Sequence, residues 1–156
     1  MRKYEKKASF EVNHDILEKG LYTSRIDGDA ITYDIRMKVP NKGDYLSTGG
    51  MHSIEHLFAT YARNSSLSEN VIYVGPMGCR TGFYLILRDT VDKNSVLELV
   101  RESMKFIRDF DGEMPGGKRQ ECGNYLDHNI PEAKEVAKDM LRVLENWKEE
   151  DFVYRT

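Results

Sequence analysis

Two histidines and a carboxylate lie within five residues of one another in the segment His52-Ser53-Ile54-Glu55-His56. On a helix each residue advances about 100°, so His56 lies about 40° around from His52 and one turn along. Glu55 lies about 60° to the other side of His52. Both imidazoles can therefore bind one divalent ion while the carboxylate faces whatever that ion binds. This is the logic of the metal-binding helix of zinc proteases, with the motif reversed.

The same five residues are also compatible with an ordinary polar face of a helix, since patterns this short recur by chance. The flanking residues are apolar at helical spacing, which predicts that the helix is at least half buried. They are Met51, Ile54, Leu57 and Phe58. Because buried imidazoles need polar partners, the flanks favour a metal site.

The third ligand of such a site must come from elsewhere, since a catalytic divalent site needs three protein ligands and an open position. The candidates are Cys79 and Cys122, which form no CxxC pair, so a structural zinc ribbon is excluded. Spacing does not choose between them, and either could be an inert core thiol. A cysteine beside Arg80 could instead exchange protons as a thiolate. The residues predict a His₂Cys site suited to proton transfer beside a carbonyl at least as well as to hydrolysis.

The elements that position these residues can be read from hydrophobic periodicity and turn residues. The sequence predicts two strands around Gly28-Asp29, a helix over 49–64, and two strands around a turn at Pro76–Gly78. It then predicts helices over about 95–110 and from Pro131, with an apolar stripe that reaches Trp147. Strands and helices do not alternate regularly. We therefore expect an α+β fold, with one domain over residues 1–156 in which an antiparallel sheet packs against helices.

Composition limits the classes of protein to which the chain can belong. Its 156 residues are 40% hydrophobic and 31% charged, which is typical of one globular domain. A net charge of −3 without a basic block argues against nucleic-acid binding. No apolar run approaches the roughly 18 residues of a membrane span, and two cysteines imply no disulfide framework. We expect a cytoplasmic protein without membrane contact.

Five segments resemble the S-ribosylhomocysteine lyase (LuxS) family, in the family's order and over nearly the whole chain. They are "SFEVNH", "YDIRMKVPN", "HSIEHLFATYARN", "GPMGCRTGFYL" and "ECGNYLDHN". The resemblance implies that S-ribosylhomocysteine is converted to homocysteine and 4,5-dihydroxy-2,3-pentanedione, the precursor of autoinducer-2. The carbonyl would migrate along the sugar by proton transfers, and β-elimination would then release homocysteine.

The resemblance also assigns residues, a metal and an assembly. It implies metal ligands at His52, His56 and Cys122, acid–base groups at Glu55 and Cys79, and substrate or site contacts at Ser9, His14, Asp34, Arg36 and Arg63. The implied metal is one Fe²⁺ per chain, which Zn²⁺ or Co²⁺ can replace. The implied assembly is a homodimer with sites at the interface, used in quorum sensing or in recycling homocysteine through the methyl cycle.

Some positions depart from the family pattern, and other interpretations remain open. Tyr73-Val74-Gly75 stands where Asp-Ile-Ser is common, and Val39 stands where Gln is common. One alternative is a zinc metallopeptidase of the inverted HxxEH type. Its third ligand would be Glu121, Glu132 or Glu135. The other alternative is a metal-binding homologue that has lost activity. His128 could orient the loop or the ligand, or it could be a surface residue.

Overall fold

Four antiparallel strands form one sheet in the computed structural model, which describes residues 12–156. The strands are β1 (Gly20–Asp27), β2 (Ala30–Arg36), β3 (Val71–Pro76) and β4 (Gly82–Arg88), in the spatial order β1-β2-β4-β3. The first hairpin turns at Gly28, whose φ of 60° costs a glycine little. Both predicted strand–turn–strand segments are confirmed.

Three helices complete the fold: α1 (Thr48–Asn64), α2 (Lys93–Arg108) and α3 (Ile130–Val143). Short 3₁₀ helices follow α1 at Ser68–Asn70 and α3 at Glu149–Phe152. None of the described helices combines the length and apolarity needed to span a bilayer. The helices pack against one another and, with the sheet, enclose a single large apolar core, so the predicted α+β class is confirmed.

The predicted apolar stripes form this core, with one difference at the end of α3. Ile54, Leu57 and Phe58 of α1 are fully buried, as predicted. The helix α3 ends at Val143 rather than continuing to Trp147, and the Arg101 guanidinium donates to the Leu144 carbonyl that this end leaves free (2.6 Å). Trp147 then donates its indole N–H to the Leu21 carbonyl.

The end of β2 is buried on both faces, whereas its alternating sequence predicts a strand buried on only one. Tyr33 and Ile35 face the core, and the intervening Asp34 and Arg36 are only 1% and 2% exposed. Tyr154, near the C-terminus, covers this second face and donates a hydrogen bond to Asp34 Oδ2 (2.6 Å). The sequence pattern of β2 could not predict this cover, because it comes from the other end of the chain.

Candidate metal centre

The N-terminus of α1, the helix that carries both histidines, is in contact with the N-terminus of α3. Ser47 caps α1, because its hydroxyl accepts the Gly50 N–H (3.0 Å) and donates to Glu132 Oε2 (2.6 Å). A Cβ at Gly50 would collide with the Glu132 carboxylate, so the glycine leaves room for this carboxylate to reach Ser47. The approach also positions the residues before α3 against the first turns of α1.

Both histidine rings are oriented by backbone carbonyls. His52 Nδ1 lies 2.7 Å from the backbone carbonyl oxygen of Asp127, and His56 Nδ1 lies 2.9 Å from that of Pro115. Since a carbonyl can only accept, each Nδ1 carries the proton and donates it. Each Nε2 therefore keeps a free lone pair, which is the usual arrangement of a histidine that binds a metal.

The third donor atom that meets these lone pairs is the sulfur of Cys122. Its Sγ lies 3.3 Å from His52 Nε2 and 3.9 Å from His56 Nε2. Tetrahedral ligands at about 2.3 Å for sulfur and about 2.1 Å for nitrogen would lie about 3.5 Å apart. The two distances bracket that value, so the three side chains fit a divalent metal ion. A nitrogen and thiolate donor set suits iron, zinc or cobalt better than magnesium or calcium.

The connection between α2 and α3, residues 109–129, supplies all the residues of this site that do not come from α1. It carries both carbonyls that orient the histidines, the sulfur of Cys122, and the ring of His128. Loops longer than about 12–15 residues without regular structure are uncommon and are usually functional. This loop is held against α1 by the site itself, and the Asn129 N–H donates to the Gly49 carbonyl (3.0 Å).

His128 is a member of the cluster that the sequence left open. It is half buried, and one of its ring nitrogens lies within 4.8 Å of the ligand atoms of His52, His56 and Cys122. Burial, and then the neighbouring His52 and His56, lower the pKa of His128 below its ordinary value, and its Nε2 is completely buried. The surface alternative is therefore wrong. Its position six residues after Cys122 was the only signal in the sequence.

Glu55 lies on α1 between the two histidines, half buried, as the helical spacing predicts. Among the residues that the structure describes, no hydrogen bond or ion pair engages its carboxylate. A carboxylate without a structural partner can take up and release a proton without breaking a fold contact. It is thus free to act as an acid–base group.

Cys79 lies in a second group of polar side chains, at the start of β4 and the end of β2. Its sulfur is 3.0 Å from the Thr81 hydroxyl and 4.0 Å from the Arg36 guanidinium. Arg36 also donates to Thr81 (2.8 Å) and to Asp34 (2.7 Å). Burial alone would lower the pKa of Arg36, but the Asp34 carboxylate outweighs burial and raises it. A permanent positive charge therefore lies beside the thiol.

A cavity of about 420 Å³ opens against Cys79. The half-buried His14 lies on its wall, with Pro40, Asn41, Tyr45, Gly78 and Thr81. None of the four members of the metal cluster lines this cavity. The described part of the chain thus contains two groups, one with the metal ligands and one with the second thiol.

The other residues predicted for the site take different positions. Arg63 is exposed near the end of α1, about 16 Å along the axis from His52, and donates to the Ile72 carbonyl. Ser9 lies outside the described residues. Glu132 is engaged by Ser47, and no glutamate belongs to the described metal cluster, so the metallopeptidase alternative is not favoured.

The two departures on β3 are coupled in space. Tyr73 and Gly75 project from the same face of the strand, and a Cβ at Gly75 would collide with the Tyr73 ring and hydroxyl. Gly75 therefore provides the space that Tyr73 occupies. Tyr73 itself is 49% exposed.

Known proteins match the chain along nearly its full length. The model of the family described as "S-Ribosylhomocysteinase (LuxS)" matches residues 7–151. An S-ribosylhomocysteine lyase of Clostridium acetobutylicum is 48% identical over 155 residues, which cover 96% of this chain and 98% of that protein. The S-ribosylhomocysteine lyase of Phocaeicola vulgatus is 44% identical over 154 residues, 95% of this chain and 96% of that one.

Proposed function

The chain belongs to the S-ribosylhomocysteinase (LuxS) family, and we propose that it cleaves S-ribosylhomocysteine to homocysteine and 4,5-dihydroxy-2,3-pentanedione. The observation that carries the proposal is the convergence of three donor atoms, from His52, His56 and Cys122, with Glu55 between the two histidines on the same helix. A metal ligand set on a helix that also carries an acid–base group supports proton transfer on a sugar.

The metal ligands are His52, His56 and Cys122, and the metal is one Fe²⁺ per chain, with Zn²⁺ or Co²⁺ as substitutes. The mixed nitrogen and thiolate donors fit each of these three ions, and the choice of Fe²⁺ among them follows from the family. When bound, the ion supplies a Lewis acid that stabilises negative charge on the sugar oxygens. The carbonyls of Asp127 and Pro115 hold the two rings so that their Nε2 lone pairs stay directed at it.

Glu55 and Cys79 transfer the protons. Each migration of the carbonyl removes a proton from one sugar carbon and returns one to its neighbour. We assign these transfers to the Glu55 carboxylate and the Cys79 thiol, acting on opposite faces of the sugar. When the carbonyl reaches the third carbon, removal of the next proton breaks the carbon–sulfur bond β to it. Homocysteine leaves as the thiol after it accepts a proton. Each migration oxidises one sugar carbon and reduces its neighbour, so no external oxidant or reductant is needed.

The substrate contacts are assigned to Ser9, His14, Asp34, Arg36 and Arg63. Arg36 and His14 are supported by their position beside Cys79. Asp34 acts through its ion pair with Arg36.

We treat residues 1–156 as one lyase domain, which the family match over 7–151 supports. Its two products have different uses: 4,5-dihydroxy-2,3-pentanedione as the precursor of a quorum-sensing signal, and homocysteine in the methyl cycle. We assign the protein to the cytoplasm, where both free thiols would stay reduced.

The active form is a homodimer with sites at the subunit interface. Two observations support this: no member of the metal cluster lines the cavity at Cys79, and Tyr125 and Leu126, close to Cys122, are exposed.

Mixing Cys79→Ala and Glu55→Gln chains tests the arrangement. If each site takes its thiol from one chain and its carboxylate from the other, one site in each mixed dimer is intact. Recovery of about a quarter of wild-type activity is expected, since half of the dimers are mixed. No recovery would assign both groups to one chain.

Release of thiol from S-ribosylhomocysteine by the iron-loaded protein tests the activity itself. We expect wild-type protein to release one thiol per substrate and Glu55→Ala to be slower by a factor of at least about 10², the usual contribution of a general acid–base group. Wild-type release at the rate of Glu55→Ala would overturn the lyase assignment and favour the homologue that has lost activity.

A further inference from the structure

We propose that His128 is a positioning residue of the metal centre, which fixes the plane of His52 by stacking and is not itself a ligand. This inference rests on the metal site of the proposed function. It concerns a residue for which the proposed reaction has no role.

The ring of His128 is held on two sides. Its face stacks on His52, with ring centroids 4.0 Å apart and an angle of 17° between the planes. Its Nδ1 lies 2.9 Å from the Ser53 hydroxyl, which also accepts the Asn129 N–H (2.9 Å). Ser53 is fully buried in α1. The loop and the helix are thus joined through one serine, directly beside a ligand.

The stacking excludes His128 from the ligand set. A metal bound to His52 Nε2 lies in the plane of the His52 ring, on the axis of the nitrogen lone pair. The His128 ring is nearly parallel to that plane and separated from it by a van der Waals distance, about 3.5 Å. Its own lone pairs lie in its own plane, so they do not point at the metal position. His56, in contrast, lies edge-on to both rings, at 83°.

The buried Nε2 of His128 has no hydrogen-bond partner among the described residues. That atom would be the obvious candidate for a fourth ligand if donor type and proximity alone were considered. The orientation of the ring decides against it. What the ring does supply is a flat surface against one face of His52, whose Nδ1 is held at the ring edge by the Asp127 carbonyl. Residues that orient a ligand typically contribute a factor of 10–100 to metal affinity.

Titration of metal-free protein with Co²⁺ tests the assignment, because cobalt absorption reports both affinity and ligand set. The variants are His128→Ala, which removes the ring, His128→Phe, which keeps a flat face without nitrogen, and Ser53→Ala, which removes the tether. Ser103→Ala is the matched control, since Ser103 is also a fully buried helical serine but bonds only to its own helix, at Leu99.

We expect His128→Ala to raise the Kd for Co²⁺ by 10–100-fold, His128→Phe and Ser53→Ala by smaller factors, and Ser103→Ala not at all. The cobalt d–d and thiolate charge-transfer bands of each saturated variant should match those of wild type. Circular dichroism of the metal-free variants verifies that each is folded. If His128→Ala does not fold, the Kd of His128→Phe for Co²⁺ is used in its place.

Altered bands in both His128 variants would make the residue a ligand and overturn the proposal. Unchanged Kd in His128→Ala or, where that variant does not fold, in both His128→Phe and Ser53→Ala would overturn the positioning role and leave the metal site of the proposed function intact. Failure of the wild-type chain to bind Co²⁺ would overturn both.

Discussion

Asp34 and Arg36 form an ion pair that is almost completely removed from solvent, at 1% and 2% exposure. Such pairs repay their desolvation only when further hydrogen bonds satisfy the charges. Tyr154 and Thr81 provide two of these bonds, and Asp34 Oδ1 and Arg36 Nε have none among the described residues. The pair is therefore incompletely satisfied, and its Arg36 member lies 4.0 Å from the Cys79 sulfur.

Removing one member of this pair should destabilise the protein strongly. We expect Arg36→Met to lower the free energy of unfolding by about 3–5 kcal/mol, because it leaves the Asp34 carboxylate buried without its countercharge. Urea unfolding of Arg36→Met, Asp34→Asn and the double variant measures this. The double variant should lose less than the sum of the single variants.

The exposed pair of Lys105 and Glu102 on α2 is the control for this cycle. Lys105→Met should change the free energy of unfolding by less than about 1 kcal/mol, since surface ion pairs contribute little. Strict additivity of the two buried substitutions would contradict the coupling.

At the scale of elements, the N-terminus of α1, the helix with both histidines, is joined to α3 by Ser47. Ser47 satisfies the Gly50 N–H and binds Glu132 of α3 with the same hydroxyl. We expect Ser47→Ala to cost about 1–2 kcal/mol, because it removes a cap and leaves the Glu132 carboxylate without this donor. Ser47→Thr keeps the hydroxyl and should cost much less. Equal midpoints of urea unfolding for the two variants would show that the cap is not responsible.

The cap of α2 makes a pH-dependent contribution. The Asp92 carboxylate accepts the Ser95 backbone N–H and the Ser95 hydroxyl, which hold its pKa below the ordinary 3.8. A group with a lowered pKa stabilises the fold above its unfolded pKa, and this contribution is lost as the pH falls through its folded pKa.

Asn also caps helices well but does not titrate, so Asp92→Asn isolates this effect. The stability of wild type relative to Asp92→Asn should be constant from pH 7 to about 5 and should fall below pH 4. Urea unfolding of both proteins across this range measures the difference. A difference that does not change with pH would exclude the charge of Asp92 as the cause.

At the scale of the whole molecule, a metal ion would join α1 to the connection that precedes α3. A ligand that binds only the folded state stabilises it, by about 2.7 kcal/mol at 100 times its Kd. For a chain of this size such a gain raises Tm by about 5–10 °C. We therefore expect the metal-free protein to melt several degrees below the Zn²⁺- or Co²⁺-loaded protein.

The two cysteines give a matched pair for this measurement. Cys122→Ala should lose the metal-dependent rise in Tm, because it removes a ligand. Cys79→Ala should keep it, because Cys79 belongs to the group around Arg36. A rise that disappears in Cys79→Ala and persists in Cys122→Ala would reverse the two assignments.

The sequence by itself determined the parts of the protein that depend on local periodicity. The spacing of His52 and His56 places both rings on one side of α1 because a helix repeats every 3.6 residues. The same rule predicted the buried faces of the helices, and turn residues such as Gly28 predicted both strand pairs. Each of these features depends only on residues that are neighbours in the chain.

Only the tertiary structure decided which residues distant in sequence meet. Sequence spacing could not choose between Cys79 and Cys122 as the third ligand. In the folded chain Cys122 lies beside the histidines, whereas Cys79 lies beside Arg36. His128 and Tyr154 gave no clear signal, because their roles depend on a loop and a chain end that fold back onto α1 and β2. Such contacts depend on closing long loops around a common core, and no local pattern records which loop will close on which element.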